Sequence, residues 1–341
     1  MEWVALDVGG ANIKVADGRG YAARYSFALW KDPGQLEHKV RAALAEAPRC
    51  DRVALTMTGE LADCFANRSE GVQFIVQAVQ RACDGRHLRV YLVDGRLVSP
   101  AVVEADPLAA AASNWHALAR YSAQWVPSGC GLLIDVGSTT TDIIPLADGQ
   151  VATTARTDTE RLLSGQLVYT GVERSPICGL VETLPYRGQQ CPVMHEWFAT
   201  TLDVYLLLED IAESASHTHT ADGRPATKAA ARQRIARMIG SPEPQFHHRD
   251  AIEIARAVAE AQLQRLCRAV QQVLAVWDGA ADVVILSGQG EFLARRVVQR
   301  VGLKARLVSL TQHLGRSASI AAPAHALAAL ARQNSAAPLR V

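Results

Sequence analysis

The sequence predicts an α/β fold of two halves with the same element list, βββαβαβα, and a large insertion in the second half. Two observations predict it. The first is a pair of matching stretches, Trp3-Val-Ala-Leu-Asp-Val-Gly-Gly-Ala-Asn-Ile-Lys-Val-Ala-Asp17 and Gly131-Leu-Leu-Ile-Asp-Val-Gly-Ser-Thr-Thr-Thr-Asp-Ile-Ile-Pro145. Each reads as a short apolar strand, an acid where that strand ends, a glycine turn and a second apolar strand. Asp7 matches Asp135 and Gly9 matches Gly137, about 128 residues apart, which is the spacing of a duplicated domain rather than of a solenoid. The second observation is that the same order of elements follows both stretches.

In the first half, residues 2 to 7, 12 to 17 and 21 to 27 read as three strands joined by Gly-rich and Asp-Gly turns. An amphipathic helix from Pro33 to about Ala47 follows, then strand Arg52 to Met57, helix Ser69 to Cys83, strand Leu88 to Val93 and an Ala-rich helix from Pro107 to about Tyr121. The second half gives strands at 131 to 136, 140 to 147 and 150 to 154. It resumes with helix Arg249 to Val276, strand Asp282 to Leu286, helix Glu291 to Val301, strand Ala305 to Ser309 and helix Ala318 to Ala331. Two domains are expected, 1–125 and 126–335, with a frayed tail from Ala336 to Val341. The insertion, about 155–247, is expected to hold a Pro- and Cys-bearing loop through Pro192, a helix from Glu196 to about Glu213 and the polar loop His217 to Pro225. Polar loops of this kind carry selectivity or are plain surface.

With 341 residues and 49% hydrophobic content, the chain can bury two cores of ordinary size. Lys and Arg number 35 against 34 Asp and Glu, which offers no electrostatic footprint for nucleic acid or an anionic membrane. Small-molecule partners are favoured, and both a monomer and a homo-oligomer are compatible. No basic segment with an apolar signal core opens the chain, and no apolar run reaches membrane-spanning length, so the expected location is cytoplasmic. The seven cysteines are scattered without a Cys-x-x-Cys pair, against a disulfide framework or structural zinc.

Ser138, Thr139, Thr140 and Thr141 crowd hydroxyls and backbone N–H groups around Gly137, a natural concavity for an anion. One such hairpin alone is as well read as an ordinary turn; the second copy favours a phosphate cradle between two halves. Lys14, on the outgoing strand of the first hairpin, is in position to reach a phosphate.

The two Asp-Val-Gly hairpins, the repeated element list and a late Ser287-Gly-Gln-Gly290 between a strand and a helix together resemble the actin, sugar kinase and Hsp70 superfamily. That resemblance implies duplicated RNase H-like (actin-like ATPase) domains. It also implies Mg²⁺ held by Asp7 and Asp135, partly through water, which suits a cation bound by one or two carboxylates plus substrate phosphates. Phosphate-binding roles then fall on Gly9, Gly10, Asn12, Lys14, Gly137, Ser138, Thr139 and Thr140, and on Gly288 and Gly290 in the adenosine-side turn.

A more specific likeness rests on Thr56-Met-Thr-Gly-Glu-Leu-Ala-Asp-Cys-Phe65, Asp135 to Pro145, Gln166-Leu-Val-Tyr-Thr-Gly-Val172 and Thr220-Ala-Asp-Gly-Arg-Pro225. These stretches resemble the hydantoinase A/oxoprolinase-like branch, in particular its tetrahydromethanopterin-linked C1-transfer proteins. The resemblance implies methanofuran or methylofuran biosynthesis, with an aminomethylfuran-methyl diphosphate joined to the phenol of a glutamyl-tyramine. The phosphate loops would then hold a leaving diphosphate instead of ATP. A phenol, with an ordinary pKa of about 10, needs a proton acceptor as it attacks. Glu60, Asp63 and Asp142 are the candidates, Glu60 lying beyond Gly59 at the carboxyl end of a predicted strand.

Other residues stay open between site and structure. Asp203 is a buried site acid or the polar stripe of a helix; Asp222 lies beside His217 and His219 in a surface loop or a metal site; Cys64 is a thiol or core packing. Arg161, Arg174, Arg187 and Arg224 are equal candidates for the glutamyl carboxylates. Two rival functions use the same hairpins: an ATP-dependent small-molecule kinase or ATPase, and a nucleotide-responsive scaffold. The separated glycines of Ser287 to Gly290 argue against adenine.

Overall fold

The computed structural model describes residues 2–241, 243–276 and 280–336. The expected frayed tail lies outside them, save Ala336. Two mixed sheets are built on the same plan. In the first, the order is β3 (Ala22–Ser26), β2 (Asn12–Ala16), β1 (Trp3–Val8), β4 (Arg52–Met57), β5 (His87–Tyr91) and β6 (Leu97–Val98). In the second, β10 (Leu167–Val168), β8 (Thr141–Ala147), β7 (Cys130–Val136), β13 (Val283–Ser287) and β14 (Arg306–Ser309) follow one another, and β9 (Gln150–Val151) also pairs with β8. The central strands β1, β4 and β7, β13 pair in parallel and are almost wholly buried, which is why they read as continuous apolar runs.

The helices between strands bury their apolar faces on these sheets. In the first half, α1 (Leu36–Glu46) and α2 (Arg68–Ala82) send Leu36, Val40, Val72, Ile75 and Val79 into the core under β1 and β4. In the second, α8 (His248–Val276) and α9 (Glu291–Val301) cover β7 and β13. The last helix of each half crosses over. The helix α4 (Asn114–Ser122) packs Trp115, Leu118 and Ala119 against Leu133, Ile144 and Ile285 of the second sheet. Conversely, α12 (Ala322–Ala336) packs Leu327, Ala328 and Ala331 against Trp3, Ala5 and Ala54 of the first. The duplicated RNase H-like fold is thereby observed, with the two sheets tied by exchanged helices.

Several elements differ from their sequence-based bounds. The Ala-rich stretch is not one helix: a 3-10 turn at Pro107–Ala110 and α4 are separated by Ala112 at φ 47, so a left-handed residue overrides high helix propensity. A short helix, α3 (Pro100–Ala105), and β6 precede it. The strand expected over 150–154 is only β9, entered through Asp148 and Gly149, both at positive φ, as a two-residue hairpin turn requires.

In the insertion, the helix expected over 196–213 is only α6 (Thr201–Leu207). A capping box of Thr200 with Asp203 starts it, and Glu209, at φ 66, stops it. The loop through Pro192 is a hairpin of β11 (Thr183–Tyr186) and β12 (Gln189–Pro192). Two helices in the insertion were not expected: α5 (Asp158–Leu163) and α7 (Lys228–Arg237). The terminal helical region is divided at Ala321, after α10 (Leu310–Leu314) and α11 (Arg316–Ile320). Among the described residues, no helix is long and apolar enough to cross a membrane.

Candidate active site

The two glycine turns face each other across a cavity of about 530 Å³. Both are built alike. Gly9 N–H donates to Asn12 O and Gly137 N–H donates to Thr140 O, each at 2.9 Å, and a Cβ at Gly9 or Gly137 would lie 3.3 or 3.4 Å from those oxygens. Outside each turn a second segment holds the carbonyls. Phe27 and Leu29 donate to Ala11 and Gly10; Val172, Glu173 and Arg174 donate to Gly137 and Ser138. The amides of Gly10, Ala11, Ser138 and Thr139 have no partner among the described residues, and all four residues line the cavity. Free N–H groups in such turns form an anion-binding concavity. Gly171 makes the second brace possible: a Cβ there would stand 2.5 Å from Gly137 O and Thr139 N.

Strand register sets the acids. Asp7 lies opposite Lys14 in β1–β2, and Asp135 lies opposite Asp142 in β7–β8, so each pair shares a sheet face. The equivalent positions have diverged in charge. Lys14 Nζ donates to Asp7 Oδ2 at 3.1 Å, and Asp7, 2% exposed, keeps Oδ1 without a partner among the described residues. Burial, then repulsion from Asp142, pushes Asp135 up to about 6, and its Oδ1 also makes no hydrogen bond among the described residues. Asp142 is bound by the guanidinium of Arg161, which lies 4.3 Å from the Trp115 ring centroid. Burial raises the Asp142 carboxyl against the pull of Arg161.

Glu60, 1% exposed, accepts from Arg68 Nη2 at 2.8 Å through Oε1, while Oε2 has no partner among the described residues. Burial pushes its carboxyl up, opposed by Arg68. Arg68 also reaches Asp158 at 2.6 Å, so Glu60, Arg68, Asp158, Arg161 and Asp142 form one ionic chain along the wall. Trp30, Leu61, Tyr169 and Trp197 also line the cavity, with Tyr169 58% and Trp197 53% exposed.

The structure brings Asp7, Gly9, Gly10, Asn12, Lys14, Glu60, Asp63, Asp135, Gly137, Ser138, Thr139, Thr140 and Asp142 to this cavity. It does not bring Gly288 and Gly290 there. A Cβ at Gly288 would meet Val136 O at 2.3 Å, and one at Gly290 would meet the Val136 and Val172 side chains, so both glycines serve close packing. Gly288 edges a second cavity of about 450 Å³, where Arg24 donates to Gln289.

Asp203 is structural, since it caps α6 and accepts from buried Arg234 at 2.8 Å. Asp222 gathers Arg224, Arg234 and Arg237; despite burial, the Arg224 backbone and the Arg234 guanidinium hold it down at about 2. No group of three metal-ligating side chains occurs among the described residues, His217 and His219 included. The Cys64 thiol lies 3.8 Å from Leu29 O and burial raises it, which fits packing. Arg187 covers Tyr186 and Arg224 is engaged with Asp222, leaving Arg161 and Arg174 in the cavity. Sequence reasoning missed Arg68, Asp158, Trp30 and Asn114; the Thr157-x-x-Glu160 capping box was a signal for the helix that carries Asp158.

The sequence profile described as hydantoinase/oxoprolinase matches residues 51–334. The chain belongs to this family. Over 330 residues it is 32% identical to the (4-{4-[2-(gamma-L-glutamylamino)ethyl]phenoxymethyl}furan-2-yl)methanamine synthase of Methanocaldococcus jannaschii, covering 96% of each chain. A relative of the same description from Methanococcus vannielii is 30% identical over 62% of this chain and 95% of its own. Among solved structures, the PilM–PilN type IV pilus biogenesis complex aligns over 96% of this chain and 99% of that one at a TM-score of 0.50 and 12% identity. Nucleotide-free acetone carboxylase aligns over 94% of this chain and 51% of that one, also at 0.50, with 11% identity. These structural likenesses bear on the fold alone.

Proposed function

We propose that this hydantoinase/oxoprolinase-family chain is an enzyme of methanofuran- or methylofuran-type cofactor biosynthesis. The observation that carries this reading is the near full-length likeness to a synthase whose name contains a furan, a phenoxymethyl ether and a glutamylamino group. In the proposed reaction, the phenol oxygen of glutamyl-tyramine forms a bond to the furan-methyl carbon, whose bond to a diphosphate oxygen breaks. Pyrophosphate leaves with the electron pair, and the phenol proton passes to a base.

The site's chemistry suits each part. Amides of Gly10, Ala11, Ser138 and Thr139, with Lys14, suit the diphosphate, and charge developing on a leaving group is where oriented donors contribute most. Asp7 and Asp135 each offer one unpartnered carboxylate oxygen, a donor set that fits Mg²⁺. When bound there, Mg²⁺ would neutralise charge on the departing diphosphate. Six acids and four cations line the cavity, so the wall alone does not balance a polyanion and a divalent cation is called for. Glu60 is the best-suited proton acceptor: burial raises it, Arg68 fixes one oxygen and the other is free. Asp142 is taken up by Arg161 and is less suited. Tyr169 and Trp197 give flat apolar surface for the furan and phenol rings.

An ATP-using kinase or ATPase keeps one observation in its favour, the second cavity beside Gly288. One experiment separates the two readings. The protein is given Mg²⁺, the aminomethylfuran-methyl diphosphate and glutamyl-tyramine, and the ether product is followed by mass spectrometry with and without ATP. Ether formed without ATP supports the transferase; no ether in either mixture, with ATP hydrolysed, contradicts it.

A further inference from the structure

The segments that brace the two glycine turns end at two side chains that meet. Leu29, which donates to Gly10 O at 2.9 Å, is followed by Trp30; Arg174 itself donates through its backbone to Ser138 O at 2.9 Å. The Arg174 guanidinium carbon lies over the Trp30 ring, 4.8 Å from its centroid. This contact joins the two halves of the chain within the cavity wall.

The four cations of the cavity are not equivalent. Lys14 is bonded to Asp7, Arg68 to Glu60 and Asp158, and Arg161 to Asp142 and Asp158. Arg174 has no carboxylate partner among the described residues. A guanidinium stacked on an indole is held by its face, and its N–H donors, which lie in its own plane, stay free for a planar or tetrahedral anion. Burial lowers the pKa of Arg174, against the opposing pull of Tyr169 and Glu173.

We infer that Arg174, held on Trp30 beside the two glycine turns, is an anion-receiving side chain of this site and takes the diphosphate leaving group together with Lys14. The assignment rests on the transferase reading above. A glutamyl carboxylate has matching chemistry, but the backbone bonds to Ser138 and Gly10 fix this stack beside the free amides of both turns. The exposed rim of Tyr169 and Trp197 is left for the far end of the acceptor. The diphosphate is then gripped by the free amides of both turns and by Arg174.

The test is calorimetric titration of inorganic pyrophosphate with Mg²⁺ into the wild-type protein and into Arg174→Gln, Arg174→Lys, Trp30→Ala and Trp30→Phe, with thermal melts to verify folding. Glutamyl-tyramine is titrated separately. Arg174→Gln is expected to weaken pyrophosphate binding about 10- to 100-fold, the range for a hydrogen bond to a charged group. Arg174→Lys, which keeps the charge without the planar fork, should lose less, and remains informative should the Gln variant not fold. Trp30→Ala should weaken binding about 2- to 5-fold and Trp30→Phe should restore most of it. Unchanged pyrophosphate affinity in Arg174→Gln and Arg174→Lys overturns the assignment, and does so in favour of the carboxylate if glutamyl-tyramine binding falls instead. A wild-type protein that binds no pyrophosphate overturns the transferase reading itself.

Discussion

Lys14 Nζ stands 3.1 Å from Asp7 Oδ2, at the position where the second hairpin has Asp142 facing Asp135. One duplicated plan has thus given one acid with an internal cation and one acid with an acid beside it. The first accepts a hydrogen bond from its neighbour; burial and the acid beside it raise the second. Lys14→Ala should lower kcat/KM for the diphosphate substrate about 10- to 100-fold, the range for a lost charge-assisted hydrogen bond, while leaving the KM of the phenolic acceptor unchanged. Steady-state kinetics with each substrate varied in turn checks this. An equal effect on both substrates would contradict it.

Asp135 gives a prediction about pH. In the metal-free fold its carboxyl titrates near 6, against an ordinary value of 3.8. Because its folded pKa is raised, its contribution to stability is fully present below the ordinary value and is lost as pH rises through about 6. Asp135→Asn should therefore stabilise the metal-free protein at about pH 7.5, by about 1–2 kcal/mol after allowing for solvent in the cleft, with no gain near pH 4. The same variant should lose turnover. Denaturant melts at the two pH values read the first effect, and a destabilised variant at the higher pH would count against the assigned environment.

Glu60 is expected to act through protonation state. Glu60→Gln keeps the shape but removes the base, so kcat should fall about 10²- to 10⁴-fold with little change in either KM. In the wild type, the acidic limb of the kcat profile should lie above the ordinary carboxylate range, since burial raises this group. Arg68→Met should move that limb further up. A profile that does not respond to Arg68→Met would remove Glu60 from this role.

The Asp203–Arg234 pair offers a contrast outside the cavity. Both are buried, and removing one partner leaves the other charged without compensation. Asp203→Asn should cost about 3–5 kcal/mol of stability. Turnover per folded molecule should stay near wild type, because neither residue lines the cavity. Urea unfolding paired with active-site titration distinguishes this from a catalytic role.

The fold and both glycine turns were legible because buried parallel strands leave continuous apolar runs and each Asp-Val-Gly sits where such a run ends. What was hidden depended on contacts far apart in the chain. Trp30 and Arg174 meet only because both brace segments close on the turns, and Arg161 reaches Asp142 from a six-residue helix too short to leave a periodic pattern. Ala112 and Glu209 break expected helices by adopting positive φ, which helix propensity does not reveal. Gly288 and Gly290 pack on Val136 outside the cavity of the two turns, which the sequence does not reveal because a glycine turn has the same letters whether it admits a ligand or a neighbouring strand.

The grip of the two glycine turns on a leaving diphosphate, with a divalent cation on Asp7 and Asp135, is read most directly by pyrophosphate release in an ATP-free mixture of both substrates and Mg²⁺, for the wild type, Asp7→Asn and Asp135→Asn. The predicted result is Mg²⁺-dependent release from the wild type, matched one for one by ether product and abolished in both variants. Release that persists in both variants, or that occurs without ether product, would contradict it.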